Sequence, residues 1–128
     1  MTLAELERTL SRVAELKPVW SASLSPRREE LPGDLDATGY TTSGEARFSI
    51  ELIRRCPGYG SNTVTIVILD TQRGIVCSER YESYAEDQKA HYRILEKLIT
   101  TICQRQLDAQ RANEFKLDAA ARREFFSK

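Results

Sequence analysis

The chain is poor in the residues that usually mark a catalyst. It has one histidine, one tryptophan and one methionine in 128 residues. His91 sits in a helical stretch beside Tyr92, which suits a surface or boundary residue. No cysteine has a reactive-thiol setting, so a Cys–His nucleophile pair has no support. There is no Gly-x-Ser-x-Gly elbow, no Walker motif and no dinucleotide fingerprint. The three cysteines, Cys56, Cys77 and Cys103, are far apart and odd in number. That pattern argues for reduced structural thiols and against a disulfide framework. Structural zinc sites bring their ligands in closely spaced pairs. These cysteines and His91 form no such pair, so no metal and no other cofactor is expected.

Charge of one sign is missing too. Lys and Arg total 19, Asp and Glu total 19, and the net charge is zero. A strong non-specific binder of nucleic acid or anionic membrane normally carries net positive charge. No apolar run approaches the roughly 18–20 residues that span a bilayer. Met1-Thr2-Leu3-Ala4-Glu5 lacks the basic start and apolar core of a signal peptide. A cytoplasmic chain without a membrane partner is the expectation.

What is present is organised around Asn62 to Arg111. Thr63 to Leu69 is rich in β-branched residues and reads as a strand. Asp70-Thr71-Gln72-Arg73-Gly74 fits a turn closed by a glycine. Ile75 to Tyr81 reads as the return strand, with Ile75, Cys77 and Tyr81 on one face. Ser83-Tyr84-Ala85-Glu86 has the form of a capping box that opens a helix. Tyr92, Leu95, Ile99 and Ile102, with Leu98 and Cys103 beside them, make its apolar stripe.

Upstream, Thr2 to Glu5 is another capping box. Leu3, Leu6, Leu10, Val13 and Leu16 follow at helical spacing until Pro18. Ser21 to Gly44 has loop composition, with Pro26, Pro32, Gly33 and Gly39, and Trp20 and Tyr40 are expected to pin its ends. Glu45 to Ile53 alternates, with Ala46, Phe48, Ile50 and Leu52 on one side, as a strand does.

The expected fold is therefore α+β with element order α-β-β-β-α. A three-stranded antiparallel meander carries an N-terminal helix and a long C-terminal helix. Residues 1–112 form one domain, with 21–44 as an irregular loop, and 113–128 form a helical C-terminal extension. A helix from Tyr84 to about Ala112 would run roughly 40–45 Å, against about 25 Å for a seven- or eight-residue strand. The tail outruns the sheet, yet it carries Phe115, Leu117, Phe125 and Phe126. Such residues need a partner surface. It could be the first helix, reached through a bend near Asn113, a second subunit, or another protein.

This element order resembles the double-stranded-RNA-binding domain, most of all in its hairpin-then-helix half. That resemblance implies an RNA or DNA duplex gripped by the start of the second helix. Here the start is Tyr84-Ala85-Glu86-Asp87, acidic where the family is basic, with Lys89 and Arg93 following. Arg105, Arg111, Lys116, Arg122, Arg123 and Lys128 add positive charge along the tail. The order is also similar to that of restriction-endonuclease-like nucleases, which hold a divalent metal with an Asp and a Glu-x-Lys on adjacent strands. Asp70 and Glu79 would take those places, with Glu79-Arg80-Tyr81 where Glu-x-Lys is wanted.

The leading expectation is a small, non-catalytic adaptor or regulatory protein that binds another protein or itself, as a homodimer. Arg111, Phe115, Leu117, Arg122, Phe125 and Phe126 are the candidate contacts. Nucleic-acid binding and a metal nuclease using Asp70 and Glu79 are the alternatives.

Overall fold

The computed structural model describes residues 1–26, 30–41, 47–58 and 60–127. The element order is α1 (Leu3–Leu16), β1 (Val19–Ala22), β2 (Leu35–Thr41), β3 (Phe48–Arg55), β4 (Thr63–Asp70), β5 (Gly74–Glu82) and α2 (Lys89–Phe126). The class is α+β, with one five-stranded antiparallel sheet in the order β1-β2-β3-β4-β5. Both helices pack on one face of it. Among the described residues, no helix is long and apolar enough to cross a membrane.

The expected three-strand meander is thus corrected to five strands. The two added strands come from Val19 to Thr41, most of which has the composition of a loop. In β2 the inward positions are Leu35, Ala37, Gly39 and Thr41, all buried. Alternation is present, but the small side chains of Ala37 and Gly39 hide it. β1 is the edge strand, and α2 satisfies its backbone. The Gln106 side chain accepts from the Ala22 amide at 2.7 Å and donates to the Trp20 carbonyl. Small residues at paired positions Ala22 and Ala37 leave room for this approach. Of the two aromatics expected to pin the loop, only Trp20 packs on the core. Tyr40 faces out and is 57% exposed.

The remaining strands follow their hydrophobic pattern. Phe48, Ile50 and Leu52 share the inner side, although Glu45 and Ala46 lie outside the described residues. Strand β3 continues through Arg54 and Arg55, two residues past the expected end at Ile53. Val64, Ile66 and Ile68 face inward from β4. The Asp70 carboxylate accepts from the amides of Gln72 and Arg73, and Gly74 takes φ +102°. In β5 the register skips Val76, pairing Ile68 with Cys77 and Leu69 with Ile75. That bulge moves Ile75 to the outer face, away from Cys77 and Tyr81, which corrects the expected grouping.

Helix α1 opens as its sequence predicts, with Thr2 Oγ1 accepting from the Glu5 amide at 3.1 Å. Lys17 closes it at φ +49°, the left-handed position that glycine usually fills. Leu6 and Val13 enter the core between helix and sheet. Helix α2 starts later than the capping box suggested. Its first residue is Lys89, and Ser83 Oγ accepts from the Asn62 amide at 3.0 Å instead of capping. Tyr92, Leu95, Ile99, Ile102, Cys103 and Leu107 are its buried residues. Beyond Leu107 it continues unbroken through Asn113 to Phe126, so the bend considered near Asn113 is absent.

Candidate interaction surface

The overhang arises from a mismatch of lengths. At 1.5 Å per residue, the stretch from Asp108 to Phe126 projects about 28 Å past the last buried position. Phe115, Phe125 and Phe126 are 74%, 77% and 79% exposed, and Leu117 is exposed as well. Phe125 and Phe126 touch edge-to-face, with ring centroids 5.0 Å apart.

Helical geometry sorts the six candidate contacts onto two sides. At 3.6 residues per turn, Phe115, Arg122 and Phe126 lie together with Ala112 and Ala119. Leu117 and Phe125 lie on the other side with Ala121, continuing the stripe that is buried farther up. Arg111 sits at the root of the overhang and is half-buried. Its Nε donates to the Pro26 carbonyl at 3.4 Å.

Charge divides in the same way. Glu114, Asp118 and Glu124 fall in one arc of about 120° with Leu117, Ala121 and Phe125. Lys116, Arg122 and Arg123 fall on the opposite side with Phe115 and Phe126. A net charge near zero therefore hides a two-sided helix.

Closer to the sheet, α1 and α2 leave a groove of about 740 Å³ between them. Trp20, Leu10, Ile94 and Leu98 supply apolar wall, and the charged residues of the lining are Lys17, Lys97 and Arg105. Among the described residues, none of these three pairs with a carboxylate. The sequence marked Arg105 among its basic tail residues, but nothing in it grouped Arg105 with Lys17. Lys97 and Arg105 share one side of α2 by spacing, but the place of Lys17 beside them depends on how α1 packs. A second exposed feature lies on the open sheet face. Val19, Tyr40, Ser49, Leu69 and Ile75 stand in register across all five strands, and all but Ser49 are exposed apolar or aromatic residues.

Burial, followed by the nearby Glu79, pushes the Cys77 thiol up, and burial pushes the Cys103 thiol up, so both are held neutral. His91 Nε2 lies 3.1 Å from the Met1 carbonyl, and its ring stacks on Tyr81 at 4.7 Å. Asp70 pairs with Gly74 and Glu79 with Ile66. Four residues along β4 separate those pairs by about 13 Å, and Asp70 is occupied in its turn.

Compared with known proteins, the chain matches no protein-family model, and no curated protein and no solved structure matches it either.

Proposed function

We propose that this chain is a non-catalytic protein-binding module that self-associates through the overhanging half of α2. The observation that carries the reading is the overhang itself. Nineteen residues, from Asp108 to Phe126, follow the last buried position and hold three largely exposed phenylalanines. Apolar surface of that kind, exposed among the described residues, marks an interaction site. In proteins most helical stability comes from packing of an apolar face and not from propensity.

Light scattering across a concentration series tests the reading. The mass should rise above the 14.6 kDa monomer. Replacing Phe115, Phe125 and Phe126 together by Ser should hold it at the monomer with the fold intact. A wild-type chain that stays monomeric at every concentration up to about 1 mM overturns it.

The basic side of α2 favours a second reading, a nucleic-acid backbone as partner. Lys97, Arg105, Lys116 and Arg123 lie along that side. Duplex binding would then fall steeply with salt. No shift of a labelled duplex at low salt removes this reading.

A further inference from the structure

The groove between α1 and α2 is apolar within and cationic at its rim. An occupant matched to it carries an apolar stripe flanked by carboxylates. The chain holds one such segment in the overhang, where Glu124 and Asp118 flank Leu117, Ala121 and Phe125, and Glu114 stands among them. This segment cannot reach its own groove. Helix α2 is continuous from Lys89 to Phe126, and the overhang points away along the same axis.

We infer that the acidic side of the overhang of one copy docks in the α1–α2 groove of a second copy. Lys97 and Arg105 meet its carboxylates, and Ile94, Leu98 and Trp20 meet its apolar stripe. The inference rests on the self-association proposed above and names the two surfaces that meet.

Charge chooses this arrangement over the simpler one. If the Phe115–Phe126 sides of two overhangs faced each other, Lys116, Arg122 and Arg123 would oppose their own copies. Like charges in apposition disfavour that pairing. Docking the acidic side on the groove places three carboxylates against three cations. The acceptor surface also extends past the groove. Ile94, Lys97, Arg105, Ala112, Phe115 and Phe126 share one side of α2 over about 48 Å. A helix can lie along such a strip, whereas a small amphiphile would need only the walled part. Asp108 is the one carboxylate on that strip, and the Gln104 side chain already donates to it at 3.0 Å.

A charge exchange on the full chain tests the inference. One variant carries Lys97→Glu and Arg105→Glu, which reverses the groove. The other carries Glu114→Lys, Asp118→Lys and Glu124→Lys, which reverses the donor. Most of these side chains are solvent-facing, and circular dichroism confirms that both variants fold. Each variant alone should self-associate at least 10-fold more weakly than the wild type. Mixed, they should form a joint assembly, because both contacts become complementary again. Trp20, the only tryptophan, lines the groove, so its emission should shift on mixing and stay unchanged in either variant alone.

Wild-type-like association of either variant, or a mixture that stays monomeric, overturns the docking inference while leaving self-association standing. A monomeric wild type overturns both. Duplex or anionic-vesicle binding by the wild type that the Lys97→Glu/Arg105→Glu variant loses, without joint assembly, assigns the basic strip to those partners and also overturns the inference.

Discussion

Trp20 lies across Gly39 on the neighbouring strand. A Cβ built on Gly39 would stand 2.9 Å from Cε3 and 3.0 Å from Cδ2 of the indole, and 3.0 Å from the Pro18 Cβ. The two residues are register partners in β1 and β2. The glycine is there because an aromatic ring occupies the space of its side chain. Gly39→Ala should therefore destabilise the fold by about 1–3 kcal/mol through overpacking. Chemical denaturation measures the loss. A shift in Trp20 emission in the folded state should accompany it, since the ring must move to admit the methyl.

Lys17 holds a backbone conformation, φ +49°, that glycine adopts without cost. Lys17→Gly should raise stability by roughly 0.5–1 kcal/mol. The same change removes one cation from the groove rim. Thermal unfolding should thus improve while self-association weakens, which separates the backbone role of Lys17 from its surface role. A loss of stability would show that its aliphatic stem contributes more to packing than the strain costs.

Two buried tyrosines make an alkaline signature. Burial, with Glu79 next, pushes the Tyr81 hydroxyl up to about 12. Burial and the bond to Glu96 push Tyr92 up as well. Both groups hold their proton more tightly when folded than when unfolded. Their contribution is complete below the ordinary tyrosine value of about 10 and falls as pH rises through the folded value. Stability should decline between about pH 10 and 12, measured by urea unfolding at fixed ionic strength.

Replacing either tyrosine by Phe should flatten that decline. At neutral pH the two variants should differ. The Tyr81 hydroxyl is buried with no partner among the described residues, so Tyr81→Phe removes an unsatisfied group and should hold stability level or raise it by about 1 kcal/mol. Tyr92→Phe loses a bond to a carboxylate and should cost about 1–2 kcal/mol.

Leu107 and Leu117 test where the core ends. Leu107 is 1% exposed and Leu117 is 58% exposed on the same helix. Leu107→Ala should cost about 2–5 kcal/mol. Leu117→Ala should stay within about 0.5 kcal/mol in dilute, monomeric protein. A large cost for Leu117→Ala under those conditions would place the overhang inside the folding unit.

Several elements were legible because long side chains announce them. Leu6 and Val13 of α1 and the stripe from Tyr92 to Cys103 read at the correct period and face, and the β-branched run of β4 read as a strand. The Asp70–Gly74 turn was legible from local hydrogen bonding and backbone freedom alone. β1 and β2 were not, because Ala22, Ala37 and Gly39 leave no hydrophobic trace. Gly39 lacks a side chain because the Trp20 ring fills that space. The late start of α2 was hidden for a related reason: the Ser83 hydroxyl went to the Asn62 amide, a partner 21 residues away.

The overhang belongs to both levels. The sequence by itself determined that a helix free of proline and glycine would outlast strands of seven to nine residues. It also determined that phenylalanines would sit on the excess, and their spacing already divides the carboxylates from the cations. Only the tertiary structure decided what lies beside that helix. By laying α1 against α2 with Trp20 between them, the fold brings Lys17, Lys97 and Arg105 into the lining of one groove. Local propensity cannot create such a cationic groove, because its two walls lie some 80 residues apart and meet only through the shared core.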